Sequence, residues 1–293
     1  MAAEDYSKNM FRLSLCCYFM EIRNVQMNEN VKWLLEEKNP SVRYRTMVEL
    51  LDMREDSDEV IKAKKAVLQC KNVKSIFDKL DENGHFPHLP KYYGNFTTFS
   101  YLEALSELGL KKDDEHINKI VDWILTHGED RYEHFMQKEF QNEHAYLLDE
   151  SNIGSCKQVL FLSTLIKMGF LEDNRIERLI EAFIEKSRFD GGYLCKWKKS
   201  HFSGQVPKSC YRATVPALKL YSVLPESYRD REEYKKLIDY FISRNVINSK
   251  VNPKDIIVKT ESGFYASGTS EIFTLAYSMS RLGYGNIPEM KDL

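Results

Sequence analysis

Three glycines set the rhythm of this 293-residue chain. Gly109, Gly169 and Gly283 each follow an apolar run, at residues 96–108, 156–168 and 270–282. A glycine directly after such a run is a helix stop, because without a Cβ it takes the left-handed cap conformation. Gly169 lies 60 residues after Gly109, and Gly283 lies 114 further on, two steps of 57. A fourth apolar run, 210–224, falls midway along that double step, and Leu51 closes a fifth, 58 residues before Gly109. Amphipathic stretches follow the apolar ones at 60–68, 115–125, 175–184 and 233–242; in the second, Ile117, Ile120, Val121 and Ile124 keep helical spacing. A period of this size without strand-like alternation predicts an all-α fold of about five stacked helical hairpins. The apolar helices face inward, and the amphipathic ones turn a charged side to water. In the first copy Pro40 suits a first helical turn, and Val42, Met47, Leu50 and Leu51 are expected to face the core. Residues 1–38 are expected as an N-terminal helical extension, and 39–293 as the repeat domain.

Charge narrows the partners. Lys+Arg 42 against Asp+Glu 44 leaves −2, so no basic field draws the chain to nucleic acid or to an anionic membrane. No window supplies the roughly 20 apolar residues of a membrane span. The apolar run 13–20 is preceded by Glu4 and Asp5 and abutted by Arg12, unlike a secretion signal. A cytoplasmic protein with reduced thiols is expected, since six cysteines in this length make no disulfide framework.

An open solenoid and a closed ring both satisfy the period. Asn39-Pro40-Ser41-Val42-Arg43 looks like the start of a HEAT-type repeat, which favours the open form. A recurrent glycine-aromatic element favours the ring: Gly84-His85-Phe86, Asp190-Gly191-Gly192-Tyr193 and Gly263-Phe264-Tyr265. These elements resemble the QW repeats of squalene and terpene cyclases and of their relatives, the protein prenyltransferase β subunits. The resemblance, strongest to the bacterial and archaeal prenyltransferase-like branch, covers roughly residues 39–285. It implies an α/α toroid with inner apolar and outer amphipathic helices, and an isoprenoid or similar apolar small molecule in a central cavity. The chain departs from the superfamily in lacking an Asp-x-Asp-Asp acid and an Asp-Asp-x-x-Asp metal signature. It therefore leaves turnover open. A non-catalytic helical-repeat scaffold for a protein partner is the alternative.

Protein prenyltransferases hold one Zn²⁺ at the toroid rim, which directs attention to thiols. Counting 13 residues back from Gly169 gives Cys156, and the same step in the next repeat gives Cys210. Both fall in the first turn of neighbouring inner helices, and Cys195 lies in the loop between them. Three converging thiols suit Zn²⁺, and helix N-termini stabilise thiolate. His201 is the first choice for a fourth ligand, with His144 and Asp149 as alternatives. Buried cysteines are also common small hydrophobes. His85 and His88 are candidates for a base or a second metal site, or are solvated loop histidines. For the ligand, the aromatics Tyr92, Tyr93, Phe99 and Tyr211 are placed at the cavity by the resemblance, and Lys91 and Arg212 are candidates for an anionic group such as a diphosphate.

Overall fold

The computed structural model describes residues 29–86, 98–127, 153, 156–194, 209–246 and 272–291, with backbone alone at 98, 100, 127, 156, 157, 212 and 272. Every regular element among them is helical. No helix among the described residues is long and apolar enough to cross a membrane. The chain divides into two compact units, Met1–Lys74 and Ser75–Leu293.

The first unit contains α1 (Glu29–Leu34), α2 (Pro40–Arg45) and α3 (Asp58–Leu68). Pro40 opens α2, where its missing N–H costs nothing. The helix then widens into a π turn at Thr46–Leu50 and ends at Asp52, whose φ of 52° is left-handed. Asp52 lies 57 residues before Gly109, so it stands where the later copies place glycine. α2 packs on α3, which buries Val60, Ala63 and Val67 along one stripe. The expected inward face of α2 needs correction. Tyr44 and Met47 are buried, whereas Val42 is 41 % and Leu50 53 % exposed. Five residues turn an α-helix through about 500°, so Val42 and Met47 point roughly 140° apart and cannot share a face. Tyr44 and Met47, three apart, can.

The helix α4 (Lys71–Phe77) spans the division between the units. The second unit continues with α5 (Thr98–Glu107), α6 (Glu115–His127), α7 (Cys156–Lys167) and α8 (Asn174–Ile184). It closes with α9 (Tyr211–Val223), α10 (Glu232–Ile242) and α11 (Ile272–Arg281). These bounds agree with the sequence expectation to within two residues at each described end. The apolar helices lie side by side in the order α5, α7, α9, α11, and α6, α8 and α10 each pack on their own predecessor. That is an inner and an outer layer. Val159 to Leu162 on α7 are buried on consecutive positions, as a helix packed on several sides requires. α8 buries Ile176, Leu179, Ile180, Phe183 and Ile184, a single stripe.

The glycine stops are one motif used three times. Gly109, Gly169 and Gly283 have φ of 96°, 96° and 91°. In each, the glycine N–H bonds three residues back, to Ser106, Ile166 or Ser280. The next N–H, from Leu110, Phe170 or Tyr284, bonds five residues back. This is the Schellman arrangement, which satisfies the last carbonyls of the helix. Neighbouring copies then meet in register: Lys167 Nζ bonds Glu107, 60 residues away, at 2.9 Å, and the Lys112 N–H bonds the Met168 carbonyl at 2.9 Å.

The glycine-aromatic elements repeat as closely. In the first, Asp81 N–H bonds the His85 carbonyl; in the second, Arg188 N–H bonds the Gly192 carbonyl. Gly84 and Gly191 have φ of 86° and 79°. A Cβ on Gly84 would strike the Lys119 carbonyl, and one on Gly191 the Lys236 carbonyl. Lys119 and Lys236 are both the fifth residue of their outer helix. The turn before each of these inner helices is thus pressed onto the backbone of the outer helix that follows it.

Gly84→Ala and Gly191→Ala should each destabilise the protein by about 2 kcal/mol or more, from left-handed strain plus a backbone collision. Gly283, which has nothing near its missing Cβ, should cost only about 1 kcal/mol when changed to Ala. Urea unfolding of the three variants measures the difference, and equal losses would refute the clamp.

Candidate functional site

The start of α9 is a hydrogen-bonded group of polar side chains and backbone. Cys210 precedes the helix in extended conformation, with φ −90° and ψ 117°. Its carbonyl accepts from the N–H groups of Ala213 and Thr214 and from the Thr214 hydroxyl, at 3.0, 3.0 and 2.8 Å. The Asp190 turn is stitched to this end. Cys210 N–H donates to the Tyr193 carbonyl at 2.7 Å, and Tyr193 N–H donates to Thr214 Oγ1 at 3.0 Å. The Asp190 carboxylate accepts from Gly192 N–H and from the Ser209 hydroxyl. A side chain on Gly192 would collide with Ser209 and with the Tyr240 ring.

Two tyrosines from this region enter the core. Tyr211 sets its ring edge-on to Phe241 and donates its hydroxyl to the Val246 carbonyl at 2.7 Å. Tyr240 is buried, with the Arg244 guanidinium over its ring at 3.7 Å. Burial pushes the Tyr240 hydroxyl above the usual tyrosine range, and the Arg244 charge opposes that.

The predicted metal ligands are placed as follows. Cys156 begins α7 and Cys210 immediately precedes α9, and these two helices pack together. Cys210 is buried and free. Only the backbone of Cys156 is described, and Cys195, His201, His144 and Asp149 lie outside the described residues. Among the described residues no group of three His, Cys, Asp or Glu side chains stands close enough to hold a metal ion.

Of the predicted ligand contacts, Lys91, Tyr92 and Tyr93 also lie outside the described residues, and Arg212 is described by backbone only, as the second residue of α9. Phe99 is 5 % exposed and meets Phe161 edge-on, with ring centroids 5.6 Å apart. Its place is in the packing between α5 and α7. His85 stacks on Trp123 at 4.3 Å, with the Asp81 carboxylate 3.7 Å from its Nδ1. A cleft of about 460 Å³ lined by Asn83, Asp122, Trp123 and Thr126 opens beside it. His88 lies outside the described residues.

Sequence reasoning missed a second polar group, on the inner layer. Lys219 of α9 stands 3.6 Å from Glu103 and 3.8 Å from Glu107, both on α5. Lys167 of α7 reaches Glu107 at 2.9 Å. The side chains of Lys219, Lys167 and Glu103 are only 15, 18 and 19 % exposed. Glu103 and Lys219 belong to the two inner helices, α5 and α9, that both pack on α7. The repeat register held the signal: Glu107 and Lys167 each stand two residues before a glycine stop, hence opposite one another.

No family model matches the chain, and no curated protein or solved structure matches it.

Burial, and secondarily the Glu107 charge, push the Glu103 carboxyl above the usual glutamate range despite Lys219 and Lys167. A raised carboxyl pKa in the folded state means that folding strengthens proton binding. Its stabilising effect is complete below the unfolded value of about 4.3 and is lost as pH rises through the folded value. The unfolding free energy of wild type minus that of Glu103→Gln should therefore rise as pH falls from 7 into the acid range. Denaturant titrations across that range check it; a flat or falling difference would contradict it.

Proposed function

We propose that this chain is a prenyltransferase- or terpene-cyclase-like protein whose hairpins close into an α/α toroid around an apolar, isoprenoid-like ligand. The repeated glycine turn carries the proposal. Two copies with different sequences, Asn83-Gly84-His85-Phe86 and Asp190-Gly191-Gly192-Tyr193, fold alike and press on the same residue of their outer helices. That supports the likeness to the QW-repeat superfamily at the level of a shared structural device.

The rim of the toroid is assigned to the starts of α7 and α9. Zn²⁺ there would be held by Cys156, Cys195 and Cys210, with His201 as fourth ligand. Cys210 fits such a role by position, since a helix start favours negatively charged ligand atoms, and thiolates with an imidazole are a zinc donor set. Bound zinc would lock the rim if all four positions are protein, and would activate a thiol or water if one is open. Asp190, Ser209 and Thr214 hold the turn and the helix start together, which orients that rim.

One feature favours the alternative of a protein-binding helical repeat. Phe273 and Tyr277, one turn apart on α11, are 67 % and 38 % exposed.

Native mass spectrometry of the full chain, purified without added metal, separates these functions. One zinc per chain, lost in the Cys156→Ser/Cys195→Ser/Cys210→Ser variant, together with a retained apolar molecule, is the expected result. A metal-free and ligand-free chain would favour the repeat scaffold.

A further inference from the structure

We infer that the cleft between the first glycine-aromatic turn and α6 receives an arginine side chain of a protein partner, with Asp122 pairing the guanidinium and the Trp123 indole forming a wall beside it.

The cleft, of about 460 Å³, is lined by Asn83 from the turn and by Asp122, Trp123 and Thr126 from α6. None of these belongs to an inner helix, so the cleft is independent of the central cavity and of the ligand proposed for it. Its walls are tied together. Gly84 lies against the Lys119 carbonyl, Asp81 accepts from the N–H groups of Asn83 and His85, and His85 stacks on Trp123 at 4.3 Å. Asp122 and Thr126, four residues apart, are neighbours on the helix surface. A site held in shape before binding loses little freedom when it is filled.

The chemistry of the walls selects a cation. A carboxylate, an amide and a hydroxyl can each accept a hydrogen bond, and indole is the aromatic ring that attracts cations best. No basic side chain lines the cleft. Among the described residues Asp122 has no ion-pair partner. Lys119, one turn before it, lies 2.8 Å from Glu115 instead. An anion entering here would meet the Asp122 charge with nothing to balance it. Of the side-chain cations, guanidinium suits these walls better than ammonium, because it is planar, stacks on aromatic rings and offers a carboxylate two parallel N–H groups. The openness of the cleft decides the source. Asn83, Asp122 and Thr126 are exposed. A free guanidino compound would stay largely in water there, whereas an arginine carried by a partner brings neighbouring surface that excludes water around it.

Nuclear magnetic resonance of the full chain tests this at the Trp123 indole N–H, assigned through Trp123→Phe. The probes, at millimolar concentration, are an end-capped Ala-Ala-Arg-Ala-Ala peptide, its citrulline and lysine counterparts, and free arginine. The arginine peptide should shift that signal and bind about tenfold tighter than the citrulline peptide, which keeps the shape and loses the charge. Asp122→Asn, at an exposed position, should bring the arginine peptide down to the citrulline level. Equal affinities for arginine and citrulline, or an Asp122→Asn variant that binds like wild type, would overturn the charge pairing. A lysine peptide as tight as the arginine peptide would overturn the choice of guanidinium, and free arginine tighter than the peptide would overturn the protein source. No shift at Trp123 with any probe would overturn the inference entirely and leave the proposed apolar ligand to the mass measurement.

Discussion

The second unit depends on the absence of a β-carbon at a few places. Gly84 and Gly191 let a turn lie directly on the carbonyl of the fifth residue of an outer helix. The turn precedes the inner helix of the same hairpin in sequence, so this contact holds that part of the chain against the outer helix. Gly109, Gly169 and Gly283 act at the other end, where a left-handed residue reverses the chain after the inner helix. Both devices rely on backbone geometry, so side chains around them vary freely between copies. Asp81 accepts from the N–H groups of Asn83 and His85 in one turn, whereas Asp190 accepts from Gly192 in the other.

A period held by backbone geometry lets the inner faces specialise. The start of α9 has become polar, with Cys210, Asp190, Ser209 and Thr214 in one hydrogen-bonded group. Further along the inner helices, Glu103, Glu107, Lys167 and Lys219 form a second polar group. Lys167 ends α7 and so complements the negative end of that helix, whereas Glu107 at the end of α5 does not. Its pairing with Lys167 at 2.9 Å offsets that mismatch.

Much of this was legible because helix periodicity and helix stops are local. The apolar and amphipathic runs and the three glycine stops need only neighbouring residues to be recognised. The face of α2 was misjudged because Val42 and Met47 were grouped by hydrophobicity, without regard to the angle between them. The roles of Phe99 and Tyr211 were beyond local reasoning. An aromatic at the start of an inner helix packs on a neighbouring helix, as Phe99 does on Phe161, or faces a cavity, and the chain alone does not distinguish the two. Arg244 over Tyr240 is different: the four-residue spacing is the one that brings side chains together along a helix.

The sequence by itself determined that this protein is built from repeated helical hairpins, where each inner helix stops, and which glycines the turns require. Those are properties of the backbone and of short-range hydrophobic spacing. Only the tertiary structure decided which charges meet. Glu103 and Lys219 are 116 positions apart in the chain, and they meet because α5 and α9 both pack on α7. Distance through space, and the loss of water around groups brought together, follow from packing rather than from order along the chain.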